Sequence, residues 1–381
     1  MRSGDQPERR ISRLRNSRLY GATLSLLIPV APAFSASPET GGTIGLVLTS
    51  WRPALYETPG AKEECPSGLQ VSEDIQNEKT PGAAERLAKF GFPLNRGPNG
   101  ELAAYAPMKV EDPIPFRELQ TRNGFGLNLD GTSDGHATAK SCTHEKFRTP
   151  EGVAADNQLA RVLGCTVGWR ASGFNVEFAA REFASSSVNR ILVEISGVDD
   201  ERNDPDVEIR IYKGLDGLVA TGEGKFLPGT NQRIDNRFPR YMHQTRGKIA
   251  DGVLTSDPIP LANLPLLWVA NPGERKFRDL QLKLKLTDTG AEGIVSGYED
   301  LRIWWNNYSR GMNSHGGIGN YSSAQLYRAA HRYADGYPDP KTGQCTAISA
   351  AYKVEAARAM IAHPALAQPS TVTASNDRTK P

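Results

Sequence analysis

Apolar residues are in short supply in this chain. They fill 38% of its 381 positions, which is low for a tightly packed helical enzyme. After the N-terminus no segment approaches the roughly 20 apolar residues of a membrane-spanning helix, which excludes a helical membrane protein beyond that point. No internal repeat is visible, so stacked-repeat architectures are excluded. Few helical stretches separate the apolar runs, which argues against a parallel sheet, whose strands need long crossovers. Neither sign of charge dominates, with 45 Lys and Arg against 43 Asp and Glu. Cysteine is limited to four residues.

What is abundant is turn chemistry. Thirty-seven Gly and 26 Pro suit a loop-rich, β-dominated fold. Residues 1–35 read as a signal peptide. "RRISRLRNSRLY" is basic, and "GATLSLLIPVAPAF" is an apolar run too short to span a bilayer and broken by prolines. Ala33 and Ser35 are the small residues expected at −3 and −1 of a cut after Ser35. An uncleaved anchor is the alternative. The segment holds six Arg against Asp5 and Glu8, a net +4, which leaves about −2 of the whole chain's +2 for the rest. The basic balance therefore belongs to the signal and gives no support to nucleic-acid binding. Cys65, Cys142, Cys165 and Cys345 all follow the cut, and an even count in an exported chain predicts two disulfides. Three pairings are open. Closeness in sequence favours Cys142–Cys165, with Cys65–Cys345 tying the ends together.

Residues 36–123 read as an irregular wrap with one helix in "TPGAAERLAKFG". From 124 to 310 the pattern turns to strands: "GFGLNL", "FNVEFAAREF", "NRILVEISGV", "DVEIRIYKG", "LLWVA", "LQLKLKLTD" and "YEDLRIWW". Leu280, Leu282, Leu284 and Leu286 share one face of such a strand, with Gln281, Lys283 and Lys285 on the other. The expected fold is mainly β, an antiparallel β-sandwich of jelly-roll type with a few short helices. "ADNQLARVLGC" is one helix, with Asp156 as its candidate cap, and "SSAQLYRAAHRYADGYP" is another. Residues 311–363 would complete the domain with that helix and a strand from Cys345. Residues 364–381, rich in Ser, Thr and Pro, read as a disordered tail.

"NLDGTSDGHA" (128–137) carries the first candidate chemistry. Gly131-Thr132-Ser133-Asp134-Gly135 spells the serine-nucleophile motif, but no helical stripe follows Ser133, as such an elbow requires. Asp130 and Asp134 fall where a calcium loop places ligands. Position 12 is Ser141 where a bidentate Glu is needed, so a complete EF-hand is excluded. A looser calcium site built from Asp130, Asp134, Glu151, Asp156 and Asn157 remains. The plain alternative is a turn whose aspartates bond their own amides. His136, Cys142, His144 and Cys165 match no standard zinc spacing. The acidic run at 197–209 reads as a solvated hairpin loop, with calcium as its second reading.

In "LRIWWNNYSRG", read as a strand, Trp304 and Trp305 would point to opposite faces. One belongs to the core, and the other is a platform for a sugar ring, with Asn306 and Tyr308 beside it. No carboxylate pair has a spacing specific for glycoside hydrolysis. The segments "CTHEKFRTPEGVAADNQLARVLGC", "GYEDLRIWW" and "LYRAAHRYADGYPDPKTGQCTAISAAY" resemble a group of exported bacterial β-rich proteins with no assigned activity, over about residues 120–363. The resemblance implies a secreted β-rich fold with the cysteines in place, and it brings no catalytic residue. The residues together favour a periplasmic or extracellular protein that binds a glycan or envelope polymer. A carbohydrate- or ester-cleaving hydrolase and a structural envelope protein are the alternatives.

Overall fold

A computed structural model of the chain describes residues 41–70, 97, 99–110, 116–223, 225–268, 271–311 and 323–364. The signal peptide, the helix expected near residue 80 and the C-terminal tail lie outside the described residues.

Eight strands form the frame: β1 (Gly42–Pro53), β4 (Ile191–Val198), β5 (Asp204–Lys213), β7 (His243–Ala250), β8 (Val253–Ser256), β10 (Asn271–Leu286), β11 (Gly290–Asp300) and β13 (Cys345–Ala362). Each pairs antiparallel with the next in chain order. The last then pairs with the first, from Leu46 opposite Arg358 to Pro53 opposite Tyr352. The sheet therefore closes into an eight-stranded up-and-down barrel, and the expected sandwich is corrected. The physical reason is that strands of both architectures alternate inward and outward in the same way. What separates them is the β1–β13 pairing, which no local pattern encodes. β1 itself, "GTIGLVLTSWRP", lies in the stretch read as irregular.

Inward residues fill the interior: Leu46 and Leu48 from β1, Ile195 from β4, Ile209 from β5, Leu282 and Leu284 from β10, Val295 from β11 and Val354 from β13. An eight-stranded barrel is just wide enough for its side chains to fill it. β7 and β8 meet at Asp251-Gly252, both with positive φ (51° and 74°), the two-residue turn whose twist suits adjacent strands. Outside the wall, Val47, Leu192, Tyr212, Ala357 and Ala359 form a second apolar patch with Ile234. β6 (Thr230–Arg233) runs parallel to the end of β13 beside it.

Additions cluster at the rim where β1 ends and β4 begins. Between those strands lie a small hairpin of β2 (Phe147–Arg148) with β3 (Ala154–Ala155), then α1 (Gln158–Leu163) and α2 (Phe174–Ser185). β9 (Ile259–Trp268) pairs with the first half of β10. Between β11 and β13 come α3 (Leu301–Gly311), α4 (Ser323–Arg332) and β12 (Gly336–Pro338). α1, α4 and the β13 strand match the sequence reading. "FNVEFAAREF" is instead helix α2, and "LRIWW" is helix α3. Leu127 makes a single bridge to Asp156 where a strand was expected.

The disulfides are Cys65–Cys165 and Cys142–Cys345, which replaces the pairing favoured by sequence proximity. The first fastens the two ends of the inserted segment to each other. The second ties that segment to the start of β13. Two disulfides fit an oxidising compartment. Among the described residues no helix is long and apolar enough to cross a membrane.

Candidate functional site

The rim carries a continuous cleft in two parts. Its inner part is a narrow cavity of about 30 Å³, lined among others by Trp51, Trp169, Phe183, Trp268, Arg275 and Tyr308. Trp169 and Trp268 stack at 5.2 Å, and Tyr308 tilts against both at 5.6 Å. The cavity has room for about one water-sized group. Among the described residues, three buried polar atoms of its lining have no hydrogen-bond partner: Trp51 Nε1, Trp268 Nε1 and Asn189 Oδ1. Beneath it, Arg275 bonds Glu299 (3.1 Å) and the Tyr352 hydroxyl (2.8 Å), which itself donates to Glu299 at 2.5 Å. Burial pushes the Glu299 carboxyl up despite the Arg275 charge.

The outer part is an open cleft of about 250 Å³ that shares Arg52, Pro53, Trp169 and Val176 with the inner one. Tyr56, Glu57, Phe125 and Lys353 complete its walls. Trp51 packs on Phe277 and Tyr352 inside the barrel. Its neighbour Arg52 belongs to the opposite face, because strand side chains alternate. Lys353 holds the same relation to Tyr352. Its ammonium lies 3.9 Å from the centre of the Phe125 ring, a cation–π distance.

A buried polar network surrounds the "NLDGTSDGHA" turn. Asp130 and Asp156 each bond the Lys146 ammonium at 2.5 Å. His144 is 2.7 Å from Asp156 through Nε2, and its Nδ1 donates to the Cys142 carbonyl at 2.8 Å. Asp335 Oδ2 lies 3.8 Å from His144 and has no hydrogen-bond partner among the described residues. Burial alone would push His144 down, but the Asp156 bond and the Asp335 charge hold it raised. Burial pushes Asp335 up to about 7, against the pull of His144 and Ser349. Asp130 is held low: the Lys146 bond and the Thr132 amide and hydroxyl outweigh its burial. Gly135 positions the histidine. Its φ is +77°, and a Cβ there would sit 1.9 Å from the His144 carbonyl oxygen, so only glycine fits.

Of the five expected calcium ligands, the fold brings Asp130 and Asp156 together. Their carboxylates and His144 offer ligand atoms within 4.8 Å of one another, and the Lys146 ammonium bridges the two aspartates. Asp134 is exposed and bonds His136 at 2.6 Å. Glu151 is exposed in the β2–β3 turn. Asn157 is buried and ties Ala54, Phe125 and Ala351 together through their backbones. Asp156 does not cap α1; its free oxygen accepts the Leu129 amide at 2.7 Å. Ser133 is exposed, and no helix follows it.

The expected sugar platform is helical. Trp304 is 1% exposed and packs on Tyr308 at 4.3 Å. Trp305 is half-buried against Tyr327 at 5.0 Å. Asn306 is exposed and lines a neighbouring groove with Phe238 and Arg240. Only Tyr308 of the four reaches the rim cleft. Sequence reasoning missed Arg52, Tyr56, Phe125, Trp169, Trp268 and Lys353. The alternations Trp51/Arg52 and Tyr352/Lys353 were readable, but their adjacency arises only when the barrel closes. Compared with family models, curated proteins and solved structures, the chain matches none.

Proposed function

We propose that the chain is an exported binding protein that holds a ring-bearing ligand, a glycan segment of an envelope polymer, in the rim cleft. The observation that carries this reading is an aromatic-walled cleft ending on three buried polar atoms without a partner among the described residues, Trp51 Nε1, Trp268 Nε1 and Asn189 Oδ1. Buried polar groups are nearly always bonded, and a sugar hydroxyl both donates and accepts, so it suits indole donors and an amide acceptor alike. Mouths of β-barrels are a recurrent place for such sites. Among the described residues Glu57 is the one carboxylate lining the cleft. Its oxygens accept the Ala171 amide at 3.1 and 3.2 Å. Paired-carboxylate hydrolysis needs two acids across the groove, so the cleft favours binding over cleavage.

The test is an oligosaccharide array on the oxidised full chain, followed by tryptophan-fluorescence titration of the hits. Trp169→Ala and Tyr56→Ala should each weaken binding about tenfold or more, roughly 1.4 kcal/mol. Trp305→Ala should leave affinity unchanged. An array without hits, or affinity lost in Trp305→Ala and kept in the other two, would sink the reading.

A further inference from the structure

Arg52 and Lys353 stand directly opposite each other on β1 and β13. Like charges placed so in an antiparallel pair are destabilising, and a strand wall normally offsets them with a neighbouring carboxylate. Among the described residues neither side chain has an ion-pair partner. Glu57, the nearby carboxylate, is taken up by the Ala171 amide and lies 3.6 Å from Arg170. Both cations line the outer cleft, and both are partly withdrawn from solvent. Burial and then the Arg52 charge hold the Lys353 ammonium below its ordinary value, against the weaker pull of the Glu57 charge. An exposed lysine on a solvated face would show neither that desolvation nor the Phe125 ring at 3.9 Å.

Resting on the binding reading above, we propose that the cleft recognises an anionic sugar: a uronic-acid unit whose carboxylate sits between Arg52 and Lys353 while its ring lies against Tyr56 and Trp169. A guanidinium meets a carboxylate through two parallel N–H bonds, and an ammonium adds a point charge beside it. The cavity of about 250 Å³ lies just under the usual small-ligand range of about 300–1,000 Å³. It suits one terminal ring and its substituent. The carboxylate would also relieve the Arg52–Lys353 repulsion, so ligand binding and stability are linked.

The experiment is calorimetric titration of the oxidised full chain with trigalacturonate, its fully methyl-esterified form and inorganic sulfate. The acid should bind at least tenfold more tightly than the ester, and sulfate should bind far more weakly than either. Arg52→Gln and Lys353→Gln should each bring the acid down to the affinity of the ester, and Arg52→Gln should not lower Tm, because it removes one member of a repelling pair. Equal binding of acid and ester by the unaltered protein overturns the charge assignment and leaves the glycan reading standing. Binding of neither sugar overturns both. Sulfate binding as tightly as the acid overturns the ring contact and leaves a plain anion site.

Discussion

At the scale of single residues, the network around His144 makes the firmest demands. Lys146 is 3% exposed at its side chain and is shared by two carboxylates whose side chains are fully buried. Removing one partner of a buried ion pair leaves an uncompensated charge, at a cost of about 3–5 kcal/mol. Lys146→Met should therefore lower the urea-unfolding free energy by about that amount at pH 7. The loss should shrink in acid as Asp130, held low in the folded chain, takes up its proton. A loss below about 1 kcal/mol at pH 7 would show that the network is not a structural anchor. Asp335 gives the opposite pH signature to an ordinary salt-bridged acid. Unfolded, it titrates near 3.9; folded, it is pushed up to about 7. The unfolded chain releases this proton first as pH rises, so the stabilisation is fully present below about pH 4 and is lost by about pH 7. His144, also raised, works in the same direction. The Tm difference between the native chain and Asp335→Asn should fall steadily from pH 4 to 7.5, and a constant difference would contradict the assignment.

At the scale of elements, legibility followed the local period. β10 was readable because Leu280, Leu282 and Leu284 are buried while Lys283 and Lys285 are exposed. α4 was readable from its stripe of Leu326, Ala329 and Ala330, all buried. α2 was misread because Phe174, Val176 and Phe178 alternate as a strand would, although Phe174 and Phe178 also sit one helical turn apart and stack at 5.7 Å. Period 2 and period 3.6 coincide over such a short window, and only packing on the rim decides between them. α3 has the same cause: β11 runs straight into it at Leu301, so "YEDLRIWW" is half strand and half helix. The platform expected at Trp304 and Trp305 depended on strand alternation. The Asp130–Asp156 pairing was legible because both residues lie within one acidic and polar stretch of the inserted segment, 26 residues apart. The rim cleft was not, since its walls come from β1, β9, β13 and the insertion.

At the scale of the whole molecule, closure of the barrel is the long-range step. Pro53 and Cys345, at the ends of the strands that form the seam, are separated by roughly 290 residues of chain, and loop-closure entropy grows with the logarithm of that length. The disulfides shorten the route. From Pro53 the chain reaches Cys65, crosses to Cys165, returns to Cys142 and crosses to Cys345, a path of only about 35 residues. The saving is about 2 kcal/mol in closing the seam, since (3/2)RT multiplies the logarithm of the length ratio. β4 and β5, joined by a short turn and paired from Ile191–Lys213 to Ser196–Glu208, gain nothing from either bridge. Reduction should therefore loosen the molecule unevenly. Amide exchange along Leu46–Arg52 and their β13 partners should accelerate well before exchange in the β4–β5 pair, in a reductant concentration that still leaves circular dichroism near native. If seam and hairpin amides lose protection together, the bridges stabilise the barrel as a single unit and the seam has no separate dependence on them.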